Sequence, residues 1–211
     1  MSLLGVVPEG WAESRLGDVA DIRSGPSGAA VRPHDRSPDG VGMIAPKDVR
    51  DGRVQTDAVS RVRADVAATL ASYTVVVDDI LVTRTGTVGR LAWIPATCDG
   101  WLFSTGMMRV RPYQVVSRYL AYYLALPEAQ EWVRRRARGT AVPSISAAVL
   151  AGLPVMLPPH HYQQEVAGAL ALLDEQAEVH DALSRLAGRT RDRLAGMLMR
   201  GESPGRLAPP G

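Results

Sequence analysis

The chain has 211 residues, 46% of them hydrophobic and 22% charged, with a net charge of +2. That is a folded domain of ordinary size, too apolar to be disordered throughout and too short for an elaborate multidomain enzyme. No uninterrupted apolar run approaches the roughly 18 residues of a membrane span, and the single cysteine, Cys98, excludes an internal disulfide framework and a Cys-cluster zinc site.

The opening MSLLGVVPEGW has neither a basic start nor a long apolar stretch, so the expected location is the cytoplasm rather than a secretory route. Pro8, Glu9 and Gly10 turn the chain before Trp11. Leu16, Val19 and Ile22 have helical spacing, which predicts a short helix or a polar-edged strand over residues 15–22. The stretch from Ser24 to Gly42, with Gly25, Pro26, Pro33, Pro38 and Gly40, is expected to be loop. A short strand follows at 41–44, a tight turn at Asp51-Gly52 and a short helix at 62–70. Residues 73–77 are β-branched and strand-like, and further strands are predicted at 80–83, 91–94, 102–104 and 107–110. The centre is thus expected to be a meander of short strands with Gly, Pro and Asp turns rather than a βαβ series.

Two helices are predicted next, at 115–126 and 128–138, separated by Pro127, with Tyr119, Leu120, Tyr123 and Leu124 on one apolar face. A short helix at 147–152 and the double proline Pro158-Pro159 follow. Residues 162–200 contain no proline. Val166, Leu170, Leu173, Ala177 and His180, then Leu183, Leu186, Thr190, Leu194 and Met197, recur at coiled-coil spacing. That is a helix of ~58 Å at 1.5 Å per residue, too long to pack fully on a domain with a radius under ~20 Å. It is expected to protrude and to need a partner helix. The expected organisation is a recognition domain over 1–158, a spacer helix over 159–200 and a compositionally disordered tail over 201–211.

The charge is unevenly spread. Residues 1–83 carry nine basic and twelve acidic side chains, and residues 139–211 carry six Arg against seven acids. Residues 84–138 carry nine Arg against only Asp99, Glu128 and Glu131. A basic middle third suits a polyanion better than a membrane surface. The plain alternative is a compositional preference for Arg, since Lys47 is the only lysine. Within DDILVTRTGTVGRLAWI, Arg84, Thr85, Thr87 and Arg90 sit on a turn between two strands, and Gly86 and Gly89 allow close backbone approach. Arg and hydroxyl side chains on such a turn suit phosphate and base-edge contact, although a hairpin with solvated arginines has the same pattern. WVRRRARGTAVPSIS has four arginines in five positions at a helix end, either a phosphate clamp or a solvated face. Catalytic patterns are missing: there is no nucleophile elbow, no HExxH zinc pair at His160 and His161, no Walker loop and no GxGxxG. Asp78-Asp79 is read as a turn.

The segments VPEGW…RLGDVADIRSG, IAPKDVRDGRV, DDILVTRTGTVGRLAWI and GTAVPSISAAVLAGLPVMLPP, then Gln163 and the long helix, resemble the specificity subunit of type I restriction-modification systems in sequence and in order, to about Arg200. One departure is Tyr162-Gln163 where that family usually has Glu-Gln. The other is length: the usual member has two recognition domains and two spacer helices, and this chain has one of each. The resemblance implies an α+β fold in a half-size, non-catalytic form that binds double-stranded DNA. It also implies a partner adenine-N6 methyltransferase carrying S-adenosylmethionine, a possible translocase using Mg/ATP, and no cofactor on this chain. Spacer helices pair antiparallel in that family, so two copies are expected to associate through Leu170, Leu173, Leu183, Leu186, Leu194 and Met197. Candidate DNA contacts are Arg23, Lys47, Arg84, Thr85, Thr87, Arg90, Arg134, Arg135, Arg136, Arg138, Thr140 and Ser144. Two alternatives stand beside this reading: an adaptor of the methyltransferase that does not read DNA, and a free-standing enzyme using Ser144, His160 or Asp78.

Overall fold

The computed structural model describes residues 3–27, 31–137 and 142–201, and the chain divides into two compact units, Met1–Ala167 and Gly168–Gly211. In chain order the elements are β1 (Ala12–Arg15), α1 (Leu16–Val19), β2 (Ala20–Ser24), β3 (Arg36–Ile44), β4 (Val49–Arg50), β5 (Arg53–Val54), β6 (Ser60–Val62), α2 (Ala64–Thr69), β7 (Ile80–Thr83), β8 (Leu91–Trp93), β9 (Leu102–Phe103), β10 (Met107–Pro112), α3 (Ser117–Ala125), α4 (Pro127–Arg136), α5 (Ala147–Ala151), β11 (Pro154–Leu157) and α6 (His160–Met199). This is the mixed α+β fold expected.

The centre of the first unit is a four-stranded antiparallel sheet in the order β2-β10-β7-β8. β7 is buried along its whole length because both faces of that sheet are covered. Ile80 and Val82 face a cluster containing Leu120 and Leu124 of α3, while Leu81 faces Ile44, Phe103 and Met107. Alternate residues serving opposite cores is what the two-residue period of a strand demands. The α3 face is the one its spacing predicts: Tyr119, Leu120, Tyr123 and Leu124 are all buried. The Tyr119 and Tyr123 hydroxyls donate to the carbonyls of Met156 (2.9 Å) and Pro154 (3.1 Å), fastening α3 to β11. Pro127 takes the first position of α4, where its missing N–H leaves no bond unmade. β1 closes the unit by pairing antiparallel with β11, Ala12 opposite Leu157.

Several local readings are corrected. Residues 15–22 are neither one helix nor one strand: β1 ends at Arg15, one turn of α1 buries Leu16 and Val19, and β2 begins at Ala20. Much of the expected loop before Gly42 is β3, which pairs with β6 across an irregularity between Arg36 and Val41. That pairing is long-range, and Gly40 lies so close to the Val62 backbone that a side chain there would collide with it. Residues 73–77 are not a strand. The backbone makes one isolated bridge, Thr74 to Leu102, and Val75 N–H donates to Trp101 O (2.8 Å), but side chains take the amides of Val76 and Val77. Val76 N–H donates to the Asp79 carboxylate (2.8 Å) and Val77 N–H to that of Asp99 (3.1 Å). The meander persists as the β7-β8 hairpin, whereas β9 pairs parallel with β3 and β10 inserts between β2 and β7.

α6 is one continuous helix of 40 residues, ~60 Å long at 1.5 Å per residue. Its first turns belong to the first unit. Gln163 is buried, with its side-chain amide donating to Pro158 O (2.8 Å) and accepting from Val116 N–H (2.9 Å). In the second unit Leu173, Leu183, Leu186 and Leu194 are exposed, whereas Met197, and Leu170 likewise, is half-buried. A shallow apolar groove of about 740 Å³ is lined by Leu183, Leu186, Ala187, Leu194 and Leu198. The expected tail lies, from residue 202 on, outside the described residues. No described helix is long and apolar enough to cross a membrane.

Candidate nucleic-acid interface

The loop between β7 and β8 is closed at its base by Thr83 N–H to Arg90 O (2.7 Å) and Gly89 N–H to Thr83 O (2.9 Å). Gly86 (φ 72°) and Gly89 (φ 91°) occupy the left-handed region that side chains disfavour. Gly89 is also pressed on α4: a Cβ there would lie 2.9 Å from Gln130 Oε1 and 3.2 Å from Val133 Cγ1. Gln130 Nε2 donates to the carbonyls of Gly89 (3.0 Å) and Leu124 (2.7 Å), locking the turn to the α3–α4 junction.

The same loop is gripped from its other side by two distant segments. Arg84 N–H donates to Gly106 O (2.9 Å), and Arg84 O accepts from Ile145 N–H (3.0 Å). Gly86 N–H donates to Pro143 O (3.1 Å), and Thr85 and Ser144 form an isolated antiparallel bridge. The glycine turn and the PSIS segment, singled out separately in the sequence, are therefore one structure. A third segment joins them. Gly106, in the turn between β9 and β10, abuts Pro46 and the Thr85 hydroxyl, which brings the Pro46-Lys47 turn to the same end of the sheet.

The candidate side chains divide by what already occupies them. Arg84 is half-buried, and its Nε is buried with no hydrogen-bond partner among the described residues. Thr85 and Ser144 sit together at the bridge, and Thr87 is exposed, its carbonyl accepting from the Thr83 hydroxyl. Lys47 is exposed, its ammonium 3.9 Å from the Asp48 carboxylate. Arg90 turns inward, donating from Nη1 to Val49 O (3.1 Å), so one of its hydrogen bonds already serves the fold. Arg23 lies on β2 opposite Arg109 and donates to Ser72 O (3.1 Å); it is not part of the loop cluster. Arg134 and Arg135 are exposed on α4 but share Glu131 at 2.8 and 2.7 Å, and these two guanidinium groups hold the Glu131 carboxyl below its ordinary range. Arg136 stacks on the Trp132 ring, 3.9 Å from its centroid. Arg138 and Thr140 lie outside the described residues.

Sequence reasoning missed the turn Ser104-Thr105-Gly106 and Pro46 as parts of this cluster. The available signal was a glycine beside two hydroxyls directly before a buried strand. Elsewhere the chemistry is quiet. Cys98 is fully buried, and burial pushes its thiol up, away from the reactive thiolate. Among the described residues, no three His, Cys, Asp or Glu side chains gather as a metal site. The cluster is a rigid set of turns presenting cationic and hydroxyl donors, the chemistry that meets phosphate oxygens and base edges.

The family profile described as type I restriction modification DNA specificity domain matches residues 8–185. The chain is 26% identical over 197 residues to the type I restriction enzyme EcoBI specificity subunit of Escherichia coli, covering 90% of this chain and 41% of that one. Among solved structures, it superposes with a TM-score of 0.66 on a chain from work on complex assembly and conformational transition of the type I R-M system, at 21% identity over 92% of this chain and 45% of the other. A second likeness, with a TM-score of 0.63, is to the S subunit of a type I restriction-modification system from M. genitalium, at 17% identity over 94% of this chain and 47% of the other. The HsdS subunit from Thermoanaerobacter tengcongensis gives 0.58 at 18% identity over 83% and 40%. The chain thus spans less than half the length of each of these relatives, and the structural likenesses concern the fold.

Proposed function

The chain belongs to the type I restriction modification DNA specificity domain family, and from that premise we propose that it is a non-catalytic, sequence-specific DNA-binding subunit. In this reading residues 1–158 form the target-recognition domain and 159–200 the spacer helix. The subunit directs a partner adenine-N6 methyltransferase, and in a restricting system a translocase, to a bipartite site. S-adenosylmethionine, Mg and ATP belong to those partners. The observation that carries the proposal is the joining of the glycine turn to the PSIS segment through Thr85 and Ser144, with the Arg84 main chain held by Gly106 and Ile145. Recognition needs donors held still, because a bidentate contact to a base edge discriminates only when its geometry is fixed.

A second copy is the proposed occupant of the α6 groove. Residues 160–184 of α6 carry Glu165, Asp174, Glu175, Glu178 and Asp181 with no Lys or Arg. Residues 185–199 carry Arg185, Arg189, Arg191 and Arg193 with Asp192 as the acid. An antiparallel pair sets acidic stretches against basic stretches, whereas a parallel pair sets like against like. Two identical recognition domains related by a two-fold axis read a symmetric, split site.

The test is the adenine methylome of the host with and without the gene. Loss of methylation at one split palindromic motif is the expected result. An unchanged methylome in a strain that expresses the partner methyltransferase overturns the proposal. One set of contacts favours the adaptor reading: Arg90, Arg134 and Arg135 are already engaged by Val49 and Glu131. That reading predicts a complex that assembles normally and whose DNA affinity is indifferent to Arg84.

A further inference from the structure

We propose that Gly106 is a positioning residue for DNA recognition, the joint that keeps the Lys47 turn and the Arg84 turn in one surface. The inference rests on the reading of this chain as a DNA-specificity subunit. Gly106 contributes no donor of its own to a ligand; its role is to have no side chain. Its φ is not in the left-handed region, so backbone freedom is not what the position requires. What it requires is space. A Cβ would stand 2.7 Å from Pro46 Cγ, 3.2 Å from Pro46 Cδ and 3.1 Å from Thr85 Oγ1. Carbon atoms settle near 3.5–4.0 Å, so a methyl group there must displace Pro46 by roughly 1 Å. The proline ring cannot fold away as the end of a long side chain can.

Three loops meet at this point. The Gly106 carbonyl accepts the Arg84 N–H at 2.9 Å, which ties the β9–β10 turn to the base of the glycine loop. Thr85, against the same α-carbon, bridges to Ser144. Pro46 precedes Lys47 in a single turn of 3-10 helix, Pro46–Asp48, so the lysine follows wherever the ring is pushed. Adding one methyl at Gly106 therefore wedges the Lys47 turn from the Arg84 turn without removing either cationic side chain. Shifts of about this size cost large factors wherever several groups must engage one ligand together.

The test uses the purified full chain and a pool of duplex DNA with randomised sequence, from which the wild type selects its preferred duplex. Affinity for that duplex and for a scrambled one is then measured for Gly106→Ala and for Pro46→Ala/Gly106→Ala, with a melting curve for each. Gly106→Ala is expected to bind the preferred duplex about tenfold more weakly, the loss of one well-placed contact, with scrambled-duplex affinity and melting behaviour retained. The double variant removes the ring that the methyl strikes and is expected to recover most of the loss. Wild-type affinity in Gly106→Ala overturns the proposal, and so does a folded double variant with no recovery. A Gly106→Ala chain that fails to fold makes the residue purely structural and overturns it as well. If the wild type itself selects no duplex, the DNA-specificity reading fails and this inference with it.

Discussion

Arg111 grips Asp79 with two parallel hydrogen bonds, Nε to Oδ1 and Nη2 to Oδ2, each 2.8 Å, and Asp79 is wholly buried. The aspartate also accepts Val76 N–H, and the Arg111 guanidinium is pushed up, chiefly by its hydrogen bond to Asp79. The pair thus fixes both the end of β10 and the segment that feeds β7. Replacing Asp79 with Ala strands the arginine and frees the amide. Losses from breaking buried pairs run about 3–5 kcal/mol; because Arg111 is partly exposed, the lower end is expected, measured by urea unfolding.

Arg84 and Arg90 share one loop and should behave oppositely. Arg84→Ala is expected to lower affinity for the preferred duplex at least ~10-fold with stability nearly unchanged. Arg90→Ala loses its bond to Val49 O and should cost about 1 kcal/mol of stability, with the smaller effect on binding. Paired binding isotherms and unfolding curves separate the two.

Glu131 restrains Arg134 and Arg135, and its carboxyl titrates below the ordinary range. The pairing is therefore complete at neutral pH and is lost only as pH falls through that lowered value. Glu131→Gln releases both guanidinium groups at pH 7. It is expected to raise DNA affinity at low salt and steepen the plot of log K against log salt by about 1–2. An unchanged slope means that these arginines do not reach phosphates.

Burial raises the Tyr119 phenol from 10.0 to about 12. The unfolded chain loses this proton first, so stability is whole below pH 10.0 and falls as pH rises toward about 12. Tyr119→Phe, which cannot ionise, should flatten that alkaline decline in melting temperature while giving up its hydrogen bond to Met156 O.

Leu186 and Leu194 lie in the α6 groove. A Leu186→Glu/Leu194→Glu chain is expected to sediment as a monomer with its melting transition retained, because neither side chain serves the first unit's core. Dimerisation that survives both changes sends the dimer contact elsewhere.

How much was legible follows from the range of each interaction. β7 and the glycine loop were readable because ILVT, the Asp pair before it and two glycines after it are neighbours in sequence. The long helix was readable because residues 162–200 hold no proline and repeat apolar residues at helical spacing. Residues 73–77 misled because β-branched composition says nothing of Asp79 and Asp99 capturing the amides. β3 was hidden among prolines and glycines, and its pairing with β6 is set by a partner strand beyond them. The loop cluster was half visible: arginines and threonines announce themselves, but Gly106 and Pro46 join it through a contact that only the folded chain makes.

The Val116 amide ends where no helical carbonyl can take it, and the Gln163 side chain accepts it. Its proton can exchange with solvent only when the first turns of α6 lift from the rest of the first unit or that unit opens. One amide, followed by hydrogen exchange, therefore reports how often the start of α6 lets go, and a partner that grips both elements should slow that exchange.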